Sequence, residues 1–159
     1  MLSFAVPLTG AVAMGVTDSV HYQLSTEVGA DEFAKLLPPG GHVVYIGSII
    51  VDEDGQHEVV SRPYTVTLFH QLKCLDVIRH ELVNVSGPVS SLTRHCMNYL
   101  RQSILCRPNL CLESAKNAGG TAARTYNAIC RDWTSIYEEA ERNQQSFSAW
   151  RMEPREGDR

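Results

Sequence analysis

His70, Lys73 and Cys74 stand at i, i+3 and i+4 in the stretch FHQLKC, spacings that place side chains on one face of a helix. A second pair, His95 and Cys96, follows in TRHCMNYL. Such faces admit a metal site, acid–base or hydrogen-bond catalysis without a metal, or a core face carrying a few polar atoms. A metal site needs at least three ligands of matching character on a preorganised surface. Two histidines supply two; a lysine must first lose a proton to ligate; and a thiolate oxidised to a disulfide no longer counts. The plain structural reading of each histidine is a half-buried, hydrogen-bonded ring. Adjacent helix positions diverge by about 100°, so His95 can face a pocket while Cys96 faces the core or a disulfide. Lys73 flanks an apolar stripe. There it either snorkels to water or lines a pocket with a lowered pKa, where it can donate to a substrate carbonyl or act as acid or base.

These residues must be carried by regular elements. Leu68, Phe69, Leu72, Leu75, Ile78 and Leu82 recur at helical spacing, and the stretch 84–88 (NVSGP) breaks the pattern. Ser90 or Ser91 caps a second long helix over 92–106, and a third is expected over about 122–143, with Trp133 on its inner face. A short helix over 31–37, capped by Asp31, stops at Pro38-Pro39-Gly40-Gly41. The β-branched run 42–50, the turn 52–55 and the run 57–61 form a hairpin that Pro63 ends. The expected fold class is α+β, mainly α: three long helices packed on a small antiparallel β-hairpin. Residues 1–30 read as an N-terminal arm or the remnant of an anchor, 31–150 as a single domain, and 151–159 as a frayed tail.

With 159 residues and 43% hydrophobic content the chain can bury one core. A net charge of -4 and the lack of a long basic run argue against a nucleic-acid partner. The chain has five cysteines and no C-x-x-C pair, so disulfides in an oxidising compartment explain them better than a zinc knuckle. Asn84-Val85-Ser86 matches the N-glycosylation pattern, which fits a secretory route. The first sixteen residues carry no charge, but Pro7 and Gly10 interrupt them and they fall short of the ~20 residues of a membrane span.

The stretches FHQLKCLDVIR and HCMNYLRQSILCRPNLCLE, with a later CRDW, resemble the ustiloxin-type (UstYa-like) family of fungal mycotoxin-tailoring proteins over residues 37–133. The resemblance implies a small enzyme of secondary metabolism, usually anchored by one N-terminal helix and facing a lumen. Several members are oxidative, with copper suggested at two HxxHC motifs; others cyclise without net oxidation. This chain keeps His70 and Cys74 of the first motif but has Lys73 where the family has its second histidine. It keeps His95 and Cys96 of the second but has Leu92 where the family has its first. Leucine cannot ligate. An ammonium about 4 Å from a cation in a partly buried site costs about 4 kcal/mol, roughly a thousandfold in affinity.

The departures favour a metal-independent, non-redox cyclase or isomerase, pericyclic reactions included, acting on a polyketide- or terpenoid-type intermediate. Its catalytic residues would be His70, Lys73 and His95, with Asn98, Tyr99 and Arg101 binding substrate. No cofactor is expected. The alternative is a copper-dependent oxidase with His70 and His95 on the metal, and a further one is a non-catalytic partner of an intact paralogue. Homo-oligomers are a second form of partnership, and membrane association stays open. The family-type cysteines Cys74, Cys96, Cys106 and Cys130 imply two disulfides, leaving Cys111 over. The cysteines and the resemblance point to the ER lumen; the lack of a clear anchor leaves the cytoplasm as the other setting.

Overall fold

The computed structural model describes residues 2–6, 10–17, 19–51, 53–84, 87–110, 112 and 125–152. The order of elements is β1 (Ala11–Thr17), α1 (Glu27–Ala34), β2 (Val43–Val51), β3 (His57–Thr65), α2 (Thr67–Val83), α3 (Ser91–Cys106), β4 (Thr125–Arg131) and α4 (Thr134–Met152). The expected three long helices on one hairpin are therefore corrected to four helices and two antiparallel two-stranded sheets, β1–β4 and β2–β3. The source of the error is the stretch 122–143. Its apolar residues satisfy a helical spacing, yet Thr125–Arg131 forms β4, and the helix begins only at Thr134. Trp133, expected on an inner helix face, lies between the two elements and is 38% exposed.

The chain divides into two compact units. The first contains the β2–β3 hairpin, the first turn of α2, α4 and residues 2–6. Gly55, at φ +77, occupies the hairpin turn, a conformation glycine adopts without strain. β3 does not stop at Pro63; it runs on to Thr65, with Pro63 opposite Tyr45. The missing N–H of Pro63 is tolerated because the Tyr45 backbone points away from β3. Its N–H donates to Asn143 Oδ1 (2.7 Å) and its carbonyl accepts from Asn143 Nδ2 (2.7 Å). That arrangement is what a non-hydrogen-bonded pair of an antiparallel ladder requires. Two residues to either side the same outward edge is used again. Gln144 Nε2 donates to Val43 O (2.9 Å), and Gly47 N donates to Leu2 O (2.9 Å). α4 is thus held to the hairpin by two side-chain amides. The apolar core of this unit is small: Leu2, Val44, Phe69 and Ala140 are buried, and Phe69 packs edge-on against Tyr137 at 4.9 Å.

The second unit contains the β1–β4 sheet, α1, the rest of α2, and α3. β1 and β4 pair in register from Ala11–Arg131 to Thr17–Thr125. α1 is capped by Thr26, whose Oγ1 accepts from Gly29 N (3.0 Å), rather than by Asp31. α3 is capped by Ser90, whose hydroxyl accepts from Thr93 N (3.1 Å). Among its described residues the buried side chains are Cys74, Cys96 and Thr93, so two thiols stand where most domains of this size place aliphatic groups. No helix among the described residues is long and apolar enough to cross a membrane.

Candidate functional site

Lys73 and Leu92, the two positions at which the sequence departs from the expected HxxHC pattern, line one cleft of about 210 Å³ in the second unit. Asp76, Val77, His80 and Glu81 complete its α2 wall, and Ser90 stands beside Leu92 at the start of α3. Helical spacing explains the first wall. Asp76, Val77, His80 and Glu81 follow Lys73 at i+3, i+4, i+7 and i+8, a single face of α2.

The charged groups of the cleft are each held by named partners. Lys73 Nζ donates to Asp76 Oδ2 at 3.2 Å, leaving two ammonium N–H bonds for other acceptors. The other oxygen, Asp76 Oδ1, accepts from Arg79 Nε at 3.0 Å. Arg79 is itself fixed: it is 11% exposed, donates to Leu24 O (3.1 Å) and lies over the Phe33 ring at 5.5 Å. Glu81 reaches from α2 to the N-terminus of α3, where it accepts from Ser90 N (2.8 Å) and Thr93 Oγ1 (3.2 Å). The Ser90 N–H above all, with the Ser90 and Thr93 hydroxyls, holds the Glu81 carboxyl below the ordinary carboxylate range. A carboxylate at that end of a helix also meets the positive end of its dipole.

α2 and α3 meet through Cys74 and Cys96, 1% and 2% exposed. Burial first, then the neighbouring Cys96 thiol, pushes the Cys74 thiol up to about 12. Cys106 is exposed and Cys130 half-buried, and all four appear as thiols. Cys111 lies outside the described residues, as do Val85 and Ser86 of the glycosylation pattern. Asn84 Nδ2 donates to His80 O at 3.0 Å.

The other sequence-derived candidates take different places. His70 is half-buried and belongs to the first unit. His95 is exposed on α3, its ring stacked over Tyr99 at 6.2 Å. Asn98 and Arg101 are exposed on the same helix, and neither lines the cleft. Asp76, His80, Glu81 and Ser90 were missed by the sequence reading. The signal for three of them was present as the polar repeat along α2, hidden beside the apolar stripe.

A copper ion held by the HxxHC pattern does not fit these residues. The positions that would contribute two imidazoles to the cleft offer an ammonium and an isobutyl group, and both carboxylates there are engaged by cations or by N–H and O–H donors. Among the described residues no group of three or more His, Cys, Asp or Glu side chains is arranged to hold a metal ion. What the cleft can do is present a positively charged donor and an imidazole to a small polar group, against the apolar surface of Val77 and Leu92.

The family model for the mycotoxin biosynthesis protein UstYa matches residues 47–153. Comparison with curated proteins gave no significant match, and comparison with solved structures gave none.

Proposed function

Because the chain belongs to the UstYa family of mycotoxin biosynthesis proteins, which tailor fungal secondary metabolites, we propose that it closes or rearranges a ring of a polyketide- or terpenoid-type intermediate. The reaction leaves the oxidation state unchanged and uses no metal. The observation that carries this reading is the convergence of Lys73 and Leu92 on one cleft. The two losses of imidazole fall at the same place and leave a donor set suited to a carbonyl oxygen rather than to a transition ion.

At about 210 Å³ the cleft is smaller than the ~300–1,000 Å³ of a pocket that encloses a whole drug-sized ligand. It therefore takes the reacting carbonyl end of the substrate. Lys73 donates a hydrogen bond to the carbonyl oxygen, and Asp76, braced by Arg79, fixes the direction of that donor. As the new bond forms, negative charge grows on the oxygen and the hydrogen bond strengthens. Donors aimed at developing charge are typically worth ~100- to 1,000-fold in rate. His80, on the same helical face, moves a proton to or from the carbon next to the carbonyl where the reaction calls for it. Val77 and Leu92 hold the apolar part against the wall and keep the reacting ends together.

The test is metabolite mass spectrometry on the producing fungus with this chain deleted, then complemented with wild type or Lys73→Met. Deletion should accumulate a precursor with the product's mass, and Lys73→Met should restore less than a hundredth of the product. A precursor two hydrogens heavier, or wild-type turnover abolished by a chelator, would replace this reading with the copper-dependent oxidase. Activity that requires a co-purifying paralogue would replace it with the helper role.

A further inference from the structure

The first unit has an unpaired strand edge. β3 has a single strand neighbour, β2, in its two-stranded sheet. Which backbone groups of β3 face outward follows from the register. Tyr45 turns its N–H and carbonyl away from β3, so Pro63 opposite it turns its carbonyl away from β2. Val43 O, bonded to Gln144, and Gly47 N, bonded to Leu2, point the same way, and these residues stand opposite Thr65 and Ser61. The alternation therefore aims the N–H and C=O groups of His57, Val59 and Ser61 at the open side of β3. Asn143, Gln144 and Leu2 cover the outer edge of β2. No such bond among the described residues reaches these groups of β3. His57, Glu58 and Val59 are exposed, as are residues 62–65.

The side chains select the strand that fits this edge. Glu58 and Arg62 stand two residues to either side of Val60 and share its face of the strand. Both are exposed, and no ion pair among the described residues involves either. Charges on an edge strand ordinarily discourage pairing. Here they carry opposite signs, placed symmetrically about Val60. Two copies of β3 set antiparallel about a two-fold axis at Val60 bring each Glu58 opposite Arg62 of the second copy. Val59 and Ser61 then exchange N–H···O bonds across the axis, and each His57 N–H meets the carbonyl of Pro63, which needs no N–H of its own there. Sliding the pair by two residues leaves both charges opposite uncharged residues. Sliding it by four sets Glu58 against Glu58 or Arg62 against Arg62, a repulsive pair. We propose that two copies of this chain join edge to edge through β3, making one four-stranded antiparallel sheet from two hairpins. A short edge pairing buries little beside the ~1,200–2,000 Å² of a stable interface, so the dimer forms in a concentration-dependent way. It does not depend on the reaction assigned to the Lys73 cleft.

The experiment is sedimentation equilibrium of the full chain under reducing conditions over rising concentration. The mass of the wild type should climb from that of one chain toward that of two. Glu58→Arg and Arg62→Glu each turn both cross-strand pairs into like charges and should weaken association roughly tenfold or more. The double swap Glu58→Arg/Arg62→Glu should restore it. Both side chains are exposed, so these variants keep the fold. A second measurement locates the axis. Val60 faces its own copy in a non-hydrogen-bonded pair, where Cα atoms stand ~4.5 Å apart, a separation that a disulfide spans. Val60→Cys treated with oxidised glutathione should give a covalent dimer whose peptide map joins residue 60 to itself. Val59→Cys meets its own copy only diagonally, at ~7–8 Å, and should not. A wild type that stays monomeric at every concentration overturns the proposal and leaves the edge to a different chain. Single and double swaps that associate alike, or cross-linking at residue 59 as fast as at residue 60, overturn it as well.

Discussion

Replacing Asn143 with leucine tests whether α4 is held to the β2–β3 hairpin by polar rather than apolar contacts. Asn143 is 3% exposed and makes three hydrogen bonds, one from Tyr45 N and one each to Tyr45 O and Ser3 O. A leucine of similar size removes all three and leaves both peptide groups of Tyr45 unpaired on a half-buried strand. At a net ~1 kcal/mol per bond, the loss is about 3 kcal/mol. For a chain of this size, ~2–4 °C per kcal/mol puts the fall in Tm at roughly 6–12 °C. Both tryptophans, Trp133 and Trp150, lie in the first unit, so urea unfolding followed by their fluorescence reports the affected region. Asn143→Asp should be at least as damaging. It keeps the acceptor for Tyr45 N but loses both donated bonds and sets a carboxylate against two carbonyls. An Asn143→Leu variant within about 0.5 kcal/mol of wild type would refute the reasoning, because water would then be satisfying Tyr45 as well as the side chain does.

Restoring imidazoles in the double variant Lys73→His/Leu92→His should create copper or zinc binding that survives dialysis, read by elemental analysis. Either single variant should bind far more weakly, and a double variant that retains no metal would show that the two positions do not converge as described. Alkaline unfolding should expose the buried thiol. Cys74 is raised from 9.0 to about 12, so below pH 9 the thiol is protonated in both folded and unfolded chains and its contribution is fully present. Between 9 and 12 only the unfolded chain ionises there, and stability is progressively lost. Urea unfolding at pH 7 to 11 followed by circular dichroism should show that loss in wild type and a smaller one in Cys74→Ala; equal slopes would contradict the assignment.

What was legible in the sequence was whatever depends on near neighbours. α2 and α3 declare themselves by apolar spacing, and Ser90 by its place before it. The hairpin follows from two β-branched runs around a turn. What was not legible depends on partners far along the chain. β1 pairs with β4 across more than a hundred residues, and an uncharged run such as Ala11 to Thr17 gives no hint of its partner. β4 is hidden because Tyr126, Ile129, Trp133 and Ile136 satisfy a helical period by chance. Asn143 and Gln144 carry no local signal that they serve as the outer neighbour of β2. At the cleft, the types and departures of Lys73 and Leu92 were plain, but their convergence is a product of how α2 packs on α3. That contact runs through two cysteines, whose role a count of thiols alone does not reveal.

The neighbours of Lys73 and Leu92 give those two substitutions a common sense. An ammonium replacing an imidazole needs a fixed counter-ion, and Asp76 supplies it from one turn away while its second oxygen is held by Arg79. Glu81 cannot compete for the ammonium without releasing Ser90 N and loosening the start of α3. The lysine is therefore steered by one carboxylate and left with donors to spend. Leu92 then matters for what it withholds. A polar residue there would accept one of those donors or bring water to it. An apolar side chain beside Val77 offers no acceptor of its own, so those donors stay available to the substrate's oxygen. On the proposed reading the lysine provides the charge and the leucine makes it effective, so reverting Leu92 alone should weaken catalysis even though leucine touches no reacting atom with a polar group.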